Sequence, residues 1–226
     1  MYIKRSFFLL ILVTLNLITL GQQQFGIKGN GGLSKITNSM NPENATQTTQ
    51  FGPSEQAGFF YSFQLDKKSS LSFELLASQI EGKETFKTNY DYTQWGGNKN
   101  DQMTFISYRH ISYLSLPVFY GLRFKKLIIN AGFQTSYSFS SSERYKSVIT
   151  LDETIHTVDE KSDDINIKKI DFGPKAELIY NLNERLAIEG SYYYGIHNIQ
   201  KGDAPIWTLK IQQASLGIRY TLWANQ

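Results

Sequence analysis

The sequence predicts an all-β chain: a transmembrane, antiparallel, up-and-down β-barrel of about eight strands behind an N-terminal signal peptide. Three observations carry this. Segment after segment alternates apolar with polar or small residues at period two, the signature of a strand with one apolar face. The connections between these segments are by turns long and short. Beyond the leader, no run approaches the ~18 apolar residues of a helical span.

The leader comes first. Lys4 and Arg5 open the chain, and an apolar stretch from Phe7 to Leu20 is interrupted only by Thr14, Asn16 and Thr19. Thr19 and Gly21 supply small residues at the −3 and −1 positions of a cleavage site, so residues 1–21 read as a cleaved secretory signal and residues 22–226 as the barrel domain. Removing Lys4 and Arg5 from the 23 basic residues leaves 21 against 20 carboxylates. Such a balance lacks the basic excess that a nucleic-acid partner would require. Cysteine is absent, which excludes a disulfide framework, a thiolate metal site and a lipidated N-terminus.

The strands follow in order. Phe25, Ile27 and Leu33 share a parity opposite Lys28, Asn30 and Ser34. A second segment sets Ala57, Phe59, Tyr61, Phe63 and Leu65 against Gly58, Phe60, Ser62 and Gln64, and a third sets Leu71, Phe73, Leu75 and Ala77 against Ser72, Glu74, Leu76 and Ser78. The fourth, about 105–124, aligns Leu114, Leu116, Val118, Tyr120, Leu122 and Phe124, with Pro117 on the other parity. Proline removes a ladder donor, so a bulge or irregularity is expected there. The fifth runs Leu127 to Phe139, the sixth Ile170 to Tyr180, the seventh Leu186 to Tyr194 and the last Ala214 to Leu222, all with the same alternation.

Three connections are short: 66–68, 125–126 and 181–184. The others, about 36–55, 82–104, 141–166 and 196–206, are long and polar. Barrels in the outer membrane have short periplasmic turns and long external loops, whereas a soluble sandwich has no reason to place every long loop at one end. Each segment supplies the ~9–11 residues of a tilted span; eight strands fit, and the loop lengths leave room for ten. Aromatic residues mark both rims, with Tyr137, Phe139, Tyr192 to Tyr194 and Trp207 on one side and Phe124, Tyr180, Tyr220 and Trp223 on the other.

Several stretches resemble the porin-like outer-membrane β-barrel family of Bacteroidetes-type bacteria. They are Phe25-Gly26-Ile27-Lys28-Gly29, Tyr113-Leu114-Ser115-Leu116-Pro117 and Asn130-Ala131-Gly132-Phe133. The ending is similar to the family's C-terminal insertion signature: Ser215, Gly217 two residues on, then Tyr220 and Leu222 three and five residues after the glycine. The tail Trp223-Ala224-Asn225-Gln226 departs from members that stop at the final aromatic strand. The resemblance implies outer-membrane lipid as surroundings and the barrel-assembly machinery as a partner during insertion. Its motifs specify architecture, not activity.

Strand parity sends ten charges toward the interior: Lys28, Glu74, Arg123, Lys169, Asp171, Lys175, Glu177, Arg185, Glu189 and Arg219. An eight-stranded interior is just wide enough for side chains to fill, and buried charges of both signs must pair. A salt-bridged plug is expected, with a narrow channel as the alternative. His110-Ile111-Ser112 resembles the His-x-Ser of lipid A deacylases, yet Tyr113 and Leu114 stand where that motif continues with asparagine, so catalysis is not expected. The acid-rich stretch 152–164 lacks the glycine-turn spacing of a calcium loop, and His110, His156 and His197 have no metal-ligand spacing. The sequon Asn44-Ala45-Thr46 is uninformative in a bacterial chain, and no glycine loop precedes a helix to cradle phosphate. No cofactor or metal is expected. The expected role is a non-enzymatic outer-membrane barrel serving envelope structure or surface contact. The alternatives are an accessory barrel of a secretion apparatus, as the resemblance allows, and a soluble lipocalin-type barrel.

Overall fold

The computed structural model describes residues 22–38, 45–89, 102–151, 154–163, 167–201 and 208–225. The stretch read as a signal peptide, Asn44 of the sequon, Trp207 and part of the acid-rich stretch lie outside them. Nine strands form one antiparallel sheet: β1 (Gln23–Asn38), β2 (Ala45–Gln64), β3 (Ser69–Asn89), β4 (Gln102–Phe124), β5 (Leu127–Leu151), β6 (Thr154–Ser162), β7 (Ile170–Asn181), β8 (Leu186–Tyr194) and β9 (Leu209–Asn225). Among the described residues no helix is long and apolar enough to cross a membrane.

The sheet closes on itself. β1 pairs with both β2 and β9, and the β4–β5 pairing joins the two ends of the strand order into a ring. Eight strands make the wall. The ninth, β6, shares an edge of β5 with β7: β7 takes Leu127 to Tyr137, and β6 takes Glu143 to Leu151. β5 and β6 therefore continue as a ribbon above the level at which β7 completes the ring.

Alternation in sequence becomes alternation in space. Along β7, exposed and buried residues succeed one another strictly, because successive side chains of a strand point to opposite faces. The exposed set is apolar: Ile27, Phe59, Leu75, Leu116, Phe133, Leu178 and Leu216 all face outward. The buried set is largely polar and includes Lys28, Ser72, Glu74, Asn130, Glu177 and Arg219. A polar inside with an apolar outside inverts the soluble arrangement and suits lipid as solvent. The same inversion removes the soluble lipocalin-type alternative, which needs an apolar lumen.

The short turns, 65–68, 125–126 and 182–185, lie at one end together with the paired strand ends Gln23 and Asn225. Phe124, Tyr180, Tyr220 and Trp223 are exposed around that rim. Tyr137, Phe139 and Tyr192 are exposed toward the opposite rim, but Tyr193 departs from the expected girdle: it faces the lumen and is 3% exposed. The reason is parity, since Tyr192 and Tyr193 are neighbours on one strand.

Two expectations change in detail. The irregularity expected at Pro117 is a gap and not a bulge: the register of β4 continues past it, while the β3 ladder omits the positions opposite Leu116 and Pro117. A missing N–H removes a rung without shifting the strand. The bulge instead lies between Ser112 and Tyr113 against β5. The long loops are also mostly strand: β2 to β5 run 20, 21, 23 and 25 residues, far beyond the ~9–11 of one span.

Candidate functional site

The lumen is filled in layers. Nearest the short turns, Gln24, Arg123, Asn181 and Arg185 border an open mouth of about 620 Å³. Above it Phe60, Ser62, Ser70, Ser72 and Asn130 leave only about 30 Å³ between them.

The next layer holds the charges. The Lys28 ammonium lies 2.9 Å from Glu74, 3.0 Å from Glu177 and 2.5 Å from Glu189. The Arg219 guanidinium reaches the same three carboxylates at 3.2, 3.3 and 3.2 Å and rests 4.0 Å from the centre of the Phe60 ring. Lys175 adds a longer ion pair to Glu177 at 3.8 Å and lies over the Phe119 ring. Asn30 donates to Glu189 and Asn130 to Glu177. Three cations meet three anions, so the layer closes electrically, as a group buried in a low-dielectric wall must. The three carboxylates stand within the spacing of a metal site, but their oxygens already accept from Lys28 and Arg219.

Five strands deliver these six side chains: β1 carries Lys28, β3 Glu74, β7 both Lys175 and Glu177, β8 Glu189 and β9 Arg219. Each sits on the small-or-polar parity of its strand. Gly217 makes room beside them. A Cβ there would stand 2.0 Å from the Asn30 side-chain oxygen and 2.3 Å from the Gly29 carbonyl. The glycine of the C-terminal signature therefore has a packing role, while Ser215 faces the lumen and Tyr220 and Leu222 face outward.

The other predicted interior charges lie elsewhere. Asp171 is buried in the layer above, where it accepts a hydrogen bond from the Tyr193 hydroxyl at 2.7 Å. Arg123 is half-buried at the mouth, Arg185 is exposed in the last short turn, and Lys169 is exposed just before β7. Arg185, though exposed, keeps the lumen side and lines both the mouth and the gap above it; Lys169 lies just outside β7, where period-two parity no longer assigns a face.

A polar layer of Gln56, Ser115, Gln134, Ser136 and Gln213 follows, linked by Gln56 to Gln213 at 2.9 Å and Ser115 to Ser136 at 2.9 Å. The remaining space there is about 10 Å³, no more than one water. Over this sits an apolar plug of Ile36, Ile80, Ile111, Tyr113, Ile167, Tyr193, Ile199, Leu209 and Ile211. Ile167 and Ile199 arrive from the chain flanking β7 and β8, where an isolated bridge joins Ile167 to Gln200. The plug escaped sequence reading because Ile36 and Ile111 occupy lumen parity beyond the alternating belt. Higher still, Arg109 pairs with Glu84 at 2.7 Å and Glu143 at 3.0 Å, a second charge cluster on residues read from sequence as loop or strand end.

His110 and Ser112 do not form a dyad. The His110 Nδ1 faces Glu81 at 3.2 Å, and among the described residues no hydrogen bond joins it to Ser112, which is buried beside the β4 bulge. Near the outer end of the ribbon, Arg144 makes a bidentate pair with Asp159 at 2.9 and 2.7 Å. The pairing holds the Asp159 carboxyl below, and the Arg144 guanidinium above, their ordinary values.

A family model described as an outer membrane protein beta-barrel domain matches residues 21–201. Among solved structures, the chain is similar to Neisserial surface protein A, at 12% identity over 89% of this chain and 99% of that one, with a TM-score of 0.42. It is similar also to Ail, the attachment invasion locus protein of Yersinia pestis, at 12% identity over 89% and 99%, TM-score 0.38. OprG of Pseudomonas aeruginosa is similar at 11% identity over 89% and 98%, TM-score 0.37. None of the curated proteins matches the chain. With a family match over most of its length and a closed ring of strands turned apolar side out, the chain belongs to the outer membrane protein β-barrel domain family and resides in the bacterial outer membrane.

Proposed function

We propose that this barrel is a closed, non-enzymatic anchor that holds a β-sheet outside the cell for contact with the surroundings. The observation that carries the reading is strand length. β2 to β5 continue ten or so residues past the span each needs, and β6 adds a fifth strand to that extension. Extended strands cost backbone entropy in every ordered residue, and the barrel wall does not need them. The layered lumen supports the anchor half of the reading: the two gaps above the mouth measure only about 30 and 10 Å³, too little for a solute.

The test is a strain whose β5–β6 ribbon is replaced by a tight turn between residues 142 and 163, set beside a full deletion strain. The expected result is that the shortened barrel still folds and inserts, while both strains lose the same surface-contact phenotype, read as adhesion or autoaggregation. If both keep wild-type surface behaviour and the full deletion alters the secreted-protein profile instead, the barrel serves a secretion apparatus.

A further inference from the structure

Where the external sheet rises from the membrane, its outer flank carries a groove of about 860 Å³. The strand register sets its height. On β4 the outward series of Leu114, Leu116, Val118, Tyr120, Leu122 and Phe124 is exposed and apolar, then gives way to His110 and Tyr108. Across the same level Glu81 and Lys83 stand on β3 beside His110 and Tyr108, and Arg144 and Lys161 continue the row on β5 and β6. The groove therefore begins one or two outward residues above the lipid-facing belt, at headgroup depth.

Its chemistry is cationic and aromatic. Within the groove Lys83 places its ammonium 5.5 Å from the centre of the Tyr108 ring; Lys35, flanking the groove on β1, places its own 5.7 Å from the ring of Phe51, which lines it. Neither lysine makes an ion pair among the described residues. The nearby carboxylates are engaged: Asp159 by Arg144, Asp163 by Lys161 at 2.7 Å, and Glu81 by His110. Phe51 and Tyr108 are themselves substantially exposed. Two free ammonium groups above two open ring faces suit a phosphate attached to a sugar: the cations take the charge and the rings take the apolar face of the pyranose.

We propose that this groove binds the headgroup of a phosphorylated glycolipid of the outer leaflet, whose acyl chains lie against Leu114, Leu116 and Phe139 below. The commitment to a lipid comes from continuity, because the outward residues below the groove on β4, Leu114 and Leu116, belong to the apolar belt. A soluble anion would make no use of that belt. The inference goes beyond the surface-contact reading, and either can fail without the other.

The test uses the full barrel refolded in a non-ionic detergent, with deep-rough lipopolysaccharide as the probe. Native mass spectrometry counts retained lipid, and the temperature at which the folded band is lost in gels reports stabilisation. Wild type is expected to retain one lipid per barrel and to unfold at higher temperature with it. The double variant Lys35→Ala/Lys83→Ala leaves every ion pair of the sheet in place and is expected to bind at least tenfold more weakly. Dephosphorylated lipid is expected to lose affinity by a similar factor, and Lys35→Arg/Lys83→Arg to restore binding. Equal binding by wild type and the alanine variant, equal binding of the dephosphorylated lipid, or no binding by wild type overturns the proposal. So does full competition by a soluble anionic polysaccharide, which would make the ligand carbohydrate and not lipid.

Discussion

Removing the Lys28 ammonium would leave Glu74, Glu177 and Glu189 with Arg219 at hydrogen-bonding distance and Lys175 at 3.8 Å from one of them. Breaking a buried ion network by deleting one partner is far more costly than replacing the whole network with apolar groups. Lys28→Met is expected to destabilise the barrel by about 3–5 kcal/mol, read as a shift of the urea unfolding midpoint in micelles. Adding Glu189→Gln to it should recover part of the loss, because that variant removes one uncompensated charge. A second residue-scale effect sits in the turn 125–126, where Lys125 has φ 55, the left-handed region. A non-glycine residue there costs about 1–2 kcal/mol, offset by the extra freedom glycine gains when unfolded. Lys125→Gly is therefore expected to be neutral or stabilising by up to about 1 kcal/mol, and a lower unfolding midpoint would contradict this account.

At the scale of elements, the short turns are built by local side-chain hydrogen bonds. Asp66 accepts from the backbone N–H of Lys68 at 2.6 Å and of Ser69 at 2.8 Å, and from the Ser69 hydroxyl at 2.5 Å. These bonds to the charged form, the Ser69 hydroxyl foremost, lower the Asp66 pKa below its ordinary 3.8. A depressed carboxylate contributes stability in full above the unfolded value and loses it as the pH falls through the folded value. Wild type is thus expected to unfold less readily than Asp66→Ala at neutral pH, with the gap closing below pH 3.8; a gap that widens on acidification would refute the cap. Strand ends were the least legible elements. Above the belt both sheet faces meet water or polar neighbours, so Thr46, Thr48 and Thr49 on β2 or Thr157 on β6 carry no alternation to mark them, although β-branched residues favour strands.

For the whole molecule, the layered lumen has a direct electrical consequence. A barrel whose axis passes through a paired charge layer, a polar layer with about 10 Å³ free and an apolar plug is expected to stay closed in planar bilayers. Sustained conductance from single wild-type barrels would contradict it. A variant with Ile36, Ile111 and Ile211 all changed to serine should remain silent as well, because the Lys28 layer still blocks the axis below them.

The sequence by itself determined the architecture. Period-two alternation made each strand two-faced, and the order of short and long connections gathered the short turns at one end; both are local properties that survive without knowledge of neighbours. It also placed Lys28, Glu74, Asp171, Lys175, Glu177, Glu189 and Arg219 on the buried parity. Only the tertiary structure decided which of them meet. Ring closure brought β1, β3, β7, β8 and β9 around one axis, so that Lys28 touches Glu177 across 149 residues of chain. It separated Asp171 into a higher layer, left Arg123 and Arg185 at the mouth, and left Lys169 exposed beyond the end of β7. Contacts of that kind depend on the stagger of strands around a closed sheet, a quantity that no single strand contains.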